Sequence, residues 1–394
     1  MKSMGASQRR PIYMDHHATT PLDQRVFEAM VPYFLDEFGN AASVDHVYGA
    51  TASAAVDRAR EQIASLINAR PDEIIFTSGA TESDNLAIVG VAEHQASKGK
   101  HIISAATEHK AVLDTCAYLE RRGWRVTYLP VDHQGLIDPD DVRAAITPET
   151  VLITVMTANN EVGSIAPVAE IGRIAKEHAV AFHTDAAQAA AYVDLDVERD
   201  NVSLMSLSAH KMYGPKGVGA LYVRNRNPRI RLEPMIHGGG HERGFRSGTL
   251  NVPGIVGMGA ASWLCRDASI EATSIAHLRD RLWSAVSQSV PGVVVNGSPE
   301  RRLANNLSIT IRGVENRSLL IALREDVAMS TGSACTTMKI EPSHVLRAMG
   351  RSDTEAHETV RLSLGRFTSC DDADLVAERL CAVIPSLRRL SRIA

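Results

Sequence analysis

The sequence predicts an α/β fold in which a mainly parallel sheet is covered by helices. Three observations lead there. Short apolar runs alternate with amphipathic stretches through the middle of the chain. The 394 residues exceed what one compact core usually holds, so two lobes are expected. The most unusual polar motifs directly follow apolar runs, as they do where ligands bind at the carboxyl ends of parallel strands.

Strands are expected at 73–76, 101–103, 126–129, 151–155, 179–182, 204–207 and 220–223. Helical patterns lie between most of them, for example over 84–94 and 168–178. After about Ala260 the character changes. A long helical pattern over 270–290 leads to a strand at 306–311, a helix at 318–323, a Gly/Ser/Thr-rich loop at 330–337, a strand at 360–364 and a last amphipathic helix. This part reads as a smaller lobe. No Pro/Gly linker precedes it, so the lobes are expected to pack tightly.

Composition excludes several classes. Hydrophobic content of 44% and charged content of 22% are those of an ordinary globular chain. A net charge of -4 gives no nucleic-acid footprint and no polybasic membrane patch. No apolar run reaches the roughly 18 residues of a membrane span, and the start up to Arg10 lacks a secretory signal's apolar stretch. A cytoplasmic location is therefore expected. The cysteines, Cys116, Cys265, Cys335, Cys370 and Cys381, are dispersed and form no C-x-x-C pair, against a disulfide framework or a zinc site.

Three motifs carry chemistry. In Phe76-Thr77-Ser78-Gly79-Ala80-Thr81-Glu82-Ser83-Asp84-Asn85 a strand ends, small residues turn, and a helix begins. Such a junction offers free N–H groups to an anion. The plainer reading is a helix start capped by Thr81 and Asp84. Neither a P-loop nor a G-x-G-x-x-G fingerprint is present. In Phe182-His183-Thr184-Asp185-Ala186-Ala187-Gln188 a carboxylate sits just beyond an apolar strand. Burial there is costly unless a cation, such as a protonated pyridine nitrogen, pairs with it. A helix N-cap or a structural ion pair is the alternative. In Ser206-Leu207-Ser208-Ala209-His210-Lys211-Met212-Tyr213-Gly214 a lysine stands at a strand end among apolar residues. Desolvation lowers the pKa of such an amine, as a Schiff-base lysine requires. Lys216 reads as a solvated loop lysine. Anion site, ring-nitrogen carboxylate and amine occur in the order a pyridoxal-phosphate site needs.

The sequence resembles the cysteine desulfurases of the iron–sulfur cluster assembly type, within the class V aminotransferase family. The resemblance runs nearly end to end. It rests on Thr77 to Ala87, Thr107-Glu108-His109-Lys110-Ala111-Val112, Asn159-Asn160-Glu161 and Ser208-Ala209-His210-Lys211. It continues through His237-Gly238-Gly239-Gly240-His241-Glu242-Arg243-Gly244, Arg246-Ser247-Gly248-Thr249, Gly332-Ser333-Ala334-Cys335 and Arg361-Leu362-Ser363-Leu364-Gly365-Arg366.

The resemblance implies the pyridoxal-phosphate-dependent transferase fold type I. A large lobe would span 20–265, and a small lobe would combine 1–19 with 266–394. It implies that Lys211 carries the cofactor, Asp185 pairs with its ring nitrogen, and Gln188 bonds its ring hydroxyl. His109 should stack on the ring and move protons. Ala80, Thr81, Ser208 and His210 should hold the phosphate, and Thr249 should reach the phosphate of a partner subunit in a homodimer. Asn160 and Arg361 should grip the carboxylate of L-cysteine, a task suited to the planar fork of arginine. Cys335 should take the sulfur as a thiolate and pass it to acceptors such as an iron–sulfur scaffold protein. Its loop of small polar residues packs little and is expected to be mobile. No resident metal is expected; transient ligation of an iron–sulfur cluster by Cys335 during transfer stays open. Selenocysteine lyase and a catalytically silent assembly platform are the alternatives. Intact Lys211, His109 and Cys335 argue against the latter.

The sequence departs from the family in three places. His16 and His17 stand where members vary; as strand neighbours they would point oppositely, against a metal pair. Ala41 replaces a usual proline. The chain ends at Ala394, where relatives often carry a longer tail that docks the scaffold, so docking by that route stays open.

Overall fold

A computed structural model describes residues 10–266, 268–332 and 341–391. Cys335 lies outside the described residues, and so does the expected order of its loop. The described strands are β1 (Ile12–Tyr13), β2 (Ile74–Thr77), β3 (His101–Ala105), β4 (Arg125–Leu129), β5 (Thr150–Thr154), β6 (Ala181–Asp185), β7 (Leu204–Ser208), β8 (Gly219–Val223), β9 (Val293–Val295), β10 (Asn306–Ile311), β11 (Val327–Ala328) and β12 (Thr359–Ser363).

Strands β2 to β8 form one sheet in the order β2-β8-β7-β6-β5-β3-β4. Strands β3 to β7 are mutually parallel, whereas β8 runs antiparallel to both β2 and β7. The carboxyl ends of β2, β3, β5, β6 and β7 therefore share one edge of the sheet. Side chains alternate between its two faces. Ile74 and Phe76 join one core with Phe182, Met205 and Leu207, while Ile75 joins the other with Leu152, Leu204 and Leu221. Both faces are covered by helices, so each strand reads as an apolar run rather than an alternating one. Phe182 is wholly buried; truncating it to alanine would cost about 3–5 kcal/mol.

Two strand boundaries differ from the sequence expectation. The run at 73–76 begins one residue late, because Pro71–Glu73 makes a single tight turn. The run at 179–182 becomes β6 from Ala181, because Ala179 takes a left-handed conformation (φ 52°) that closes the Val168–Glu177 helix. A second core gathers Met14 with residues of the Ala268–Ser289 helix, β10, β12 and the Cys370–Ser391 helix. Here β10 lies between β9 and β12, and β1 pairs with β11. Among the described residues no helix is long and apolar enough to cross a membrane.

Candidate active site

The shared strand edge opens into a cavity of about 490 Å³. Ala80, Thr81, His109, Asn160, Asp185, Gln188, Ser208, His210 and Lys211 all line it, from five separate stretches of chain. A larger cavity, about 830 Å³, opens at the opposite edge, near Lys98, Lys176 and Arg229, and contains none of these residues.

Gly79 caps the Ala80–Gln95 helix with no side-chain acceptor. The capping by Thr81 and Asp84 considered from sequence does not occur: Thr81 is exposed and Asp84 is fully buried. The first-turn N–H groups are thus left without a capping side chain, as an anion site requires. Gly79 has φ 154°, and a Cβ on Gly219 would stand 2.6 Å from the Gly79 Cα, so both positions need glycine for the loop to lie against β8. Ser208 and His210 reach the same space. His210 Nδ1 lies 3.2 Å from Thr19 Oγ1. Burial, with Lys211 adding to it, lowers the His210 pKa to about 4.

Asp185 ends β6. One of its oxygens accepts the Ala187 N–H at 2.8 Å, and it forms no ion pair among the described residues. Burial pushes its carboxyl above the usual range, against the Ala187 N–H and the charges of His109 and Lys211. Among the described residues the structural ion pair considered from sequence is absent, and the local cap uses one oxygen only.

Lys211 ends the tight turn Ala209–Lys211 that follows β7. Its Nζ donates to the carbonyls of His17 and Ala18. Burial lowers its pKa to about 8, the charge of Arg361 acting with it and those of Asp185 and Asp15 against it. Lys216 is exposed as expected, yet it also reaches the cavity rim. His109 is the N-cap of the Lys110–Glu120 helix, its Nδ1 accepting the Ala111 N–H at 3.1 Å. That bond assigns the neutral ring's proton to Nε2. Burial lowers the His109 pKa, with the Asp185 charge opposing.

Arg361 stands behind Asn160 rather than in the cavity wall. It donates to the Asn160 carbonyl at 2.7 Å and to Asp15 at 2.8 Å. Gln188 donates to the His17 carbonyl at 3.0 Å. Thr249 is exposed and does not line this cavity.

The sequence marks His16 and His17 in the segment from Asp15 to Thr20 but not the contacts that this segment makes. The segment straps across the site, touching Arg361, Lys211, Gln188, Asn160 and His210. His17 is buried, with Nδ1 3.0 Å from the Asn160 carbonyl and Nε2 3.1 Å from Asn305 Oδ1. His16 Nδ1 lies 2.8 Å from the Ser363 carbonyl. Burial lowers the His17 pKa to about 3. Among the described residues no group of three or more histidine, cysteine or acidic side chains is placed to hold a metal.

The residues present fit pyridoxal phosphate. A helix start without a side-chain cap suits a phosphate, a buried carboxylate without an ion pair suits a protonated ring nitrogen, and a desolvated amine suits an aldehyde. Fold and site together define a pyridoxal-phosphate-dependent enzyme of fold type I.

Comparison with known proteins narrows this. The aminotransferase class-V family matches residues 12–376. The Cysteine desulfurase IscS of Anaeromyxobacter dehalogenans (strain 2CP-C) is 54% identical over 382 residues, covering 97% of this chain and 94% of that protein. A solved NifS-like protein superimposes with a TM-score of 0.89 at 35% identity, covering 96% of this chain and 100% of that one. A structure of SspA in complex with cysteine gives 0.79 at 40% identity, covering 91% and 99%. The chain belongs to the class V aminotransferase family and, within it, to the cysteine desulfurases.

Proposed function

We propose that this chain removes sulfur from L-cysteine, releasing L-alanine and leaving a persulfide on Cys335 for delivery to acceptors in iron–sulfur cluster assembly. The observation that carries the reading is Lys211. Its amine is buried, its pKa is lowered to about 8, and it shares one cavity with Asp185 and the Gly79–Thr81 helix start.

Ala80, Thr81, Ser208 and His210 would hold the cofactor phosphate, Asp185 its ring nitrogen and Gln188 its ring hydroxyl. Bound there, pyridoxal phosphate supplies a sink for the electrons left when the substrate loses its α-proton. The remaining work falls to the protein. Arg361 and Asn160 bind the substrate carboxylate and so fix the α-carbon. The Lys211 amine, neutral above about pH 8, takes the α-proton. His109, which lines the cavity, holds its proton on Nε2. The Cys335 thiolate attacks the substrate sulfur: an S–S bond forms, the C–S bond breaks, and its electron pair is protonated at the β-carbon to give alanine.

Two finer points belong to the same proposal. Phe34, Leu35, Phe38 and Val47 are all exposed, which supports pairing with a second copy, in which Thr249 would complete the partner's phosphate site. A cytoplasmic setting, with reduced thiols, suits a protein that depends on a free Cys335. Purified holoenzyme given L-cysteine and a reductant should yield alanine and sulfide in equal amounts. Cys335→Ser should bind cysteine and yield almost none of either. Near-normal alanine from that variant without added thiol would overturn the role of Cys335, and preference for selenocysteine over cysteine would move the activity to the lyase.

A further inference from the structure

Lys216 reads from sequence as a loop lysine, yet it lines the active-site cavity together with Gly217. Its turn is held against the loop that starts the Ala80–Gln95 helix. Gly219, just beyond the turn, pairs with Thr77, and a Cβ there would stand 2.6 Å from the Gly79 Cα. Ser78, Gly79, Ala80 and Thr81 line the same cavity, so Lys216 stands at the end proposed for the cofactor phosphate. His210 belongs to that end too. Burial, and after it the charges of Lys211 and Lys216, lower its pKa to about 4, so the Lys216 ammonium is within electrostatic reach of this ring.

The charges at this end do not balance without Lys216. A phosphate monoester brings about −1.5 to −2 at neutral pH. The helix start offers the equivalent of roughly +0.5. Thr81, Ser208 and a neutral His210 offer hydrogen bonds and no charge. Glu82 also lines the cavity, but its carboxylate is matched by Arg246 at 2.8 Å and by the Ser78 N–H at 2.8 Å. Lys211 and Lys216 are the only lysines or arginines among the described residues that line the cavity. The Lys211 amine is held by the carbonyls of His17 and Ala18 and is assigned to the cofactor aldehyde. Lys216 is exposed and makes no ion pair among the described residues.

We infer that Lys216 is a cofactor-binding residue, which supplies the side-chain positive charge that balances the phosphate of pyridoxal phosphate. The inference rests on the reading that the phosphate sits at the Gly79–Thr81 helix start. A charged pair at an exposed rim is weaker than a buried one, whereas hydrogen bonds to charged groups exceed neutral ones. The expected gain in affinity is roughly fivefold or more.

The test is equilibrium binding of pyridoxal phosphate and of pyridoxal, which lacks the phosphate, to protein freed of cofactor, read from the visible band of the bound ligand. The quantity is the ratio of the two dissociation constants. Pyridoxal binding reports folding and the Lys211 end in every variant. Lys216→Gln should reduce the preference for the phosphorylated ligand at least about fivefold while pyridoxal binds as in wild type. Lys216→Glu should reduce it further, and Lys216→Arg should restore it. The gap between wild type and Lys216→Gln should narrow as salt rises, because ions screen an exposed charge. A Lys216→Gln protein with the wild-type ratio, whether both constants hold or both weaken alike, overturns the inference. Wild type separates the two claims. If it binds pyridoxal as tightly as pyridoxal phosphate, no phosphate is held here and the underlying reading fails. If it strongly prefers the phosphorylated ligand while Lys216→Gln keeps that preference, only the role of Lys216 fails.

Discussion

Two halves of the site differ in how they are built. The strand-end wall, from Gly79 through His109 and Asp185 to Lys211, presents side chains and helix N–H groups. The strap from Asp15 to Thr20 uses side chains toward Arg361, Asn160 and His210, but it holds Lys211 and Gln188 through its main chain: the carbonyls of His17 and Ala18 hold Lys211, and that of His17 also holds Gln188. A side chain with a task must be one particular residue. A carbonyl with a task can belong to any residue that brings the chain to the right place. The wall therefore carries a signature, and the carbonyl contacts of the strap to Lys211 and Gln188 do not.

The largest effect should come from the wall. Lys211→Ala should lower turnover by roughly 10²–10⁴-fold or more, the scale of losing a positioned proton-transfer group. It should also abolish the covalently held visible band of the cofactor. A variant with that band unaltered would remove the lysine from its assigned place and erase the contrast between the two halves.

Next in size is Asp185→Asn. Removing one partner of a buried charged pair costs about 3–5 kcal/mol. Retention of pyridoxal phosphate in equilibrium dialysis should fall by roughly two orders of magnitude or more. Wild-type retention would mean that no cation pairs with this carboxylate.

The strap should respond more mildly and in another observable. His17→Ala leaves the Asn305 side-chain oxygen without its buried partner, while the Asn160 carbonyl keeps the Arg361 guanidinium. An unsatisfied buried polar group costs about 1–3 kcal/mol. The melting temperature of the protein should drop, while the amount of cofactor bound at saturation holds. Complete loss of the cofactor with an unchanged melting temperature would make His17 part of the binding machinery.

The smallest effect sharpens the electrostatic contrast. Lys211 has a folded pKa near 8 against an ordinary value of 10.5. Its neutral, nucleophilic form therefore grows as pH rises through about 8. The rate at which protein freed of cofactor captures added pyridoxal phosphate should climb with that midpoint and then level off. The sign for stability agrees. Between the two pKa values the unfolded chain binds more protons, so the cofactor-free protein should gain stability as pH rises through that window. A capture rate still rising steeply above pH 10 would show that Lys211 is not desolvated.

Legibility followed the same division. The central strands were readable because both faces of the sheet are covered and each strand is a bounded apolar run. The boundaries at Glu73 and Ala179 moved because a proline turn and a left-handed residue decide them locally. The antiparallel direction of β8 was not readable, since a buried run carries no mark of its direction. His109 as a helix N-cap, and Arg361 standing behind Asn160, depend on contacts distant in sequence. His16 and His17 drew attention as a possible metal pair, yet their rings are spent on the Ser363 and Asn160 carbonyls and on Asn305.

The central claim joins Lys211 chemistry to a thiol far away in sequence. It is tested most directly by a single turnover of holoenzyme with one equivalent of L-cysteine, quenched and digested for mass spectrometry. The account predicts one added sulfur atom on the peptide containing Cys335, with alanine formed in equal amount. Added sulfur on Cys370 or Cys381, or alanine formed with no sulfur on any cysteine, would contradict it.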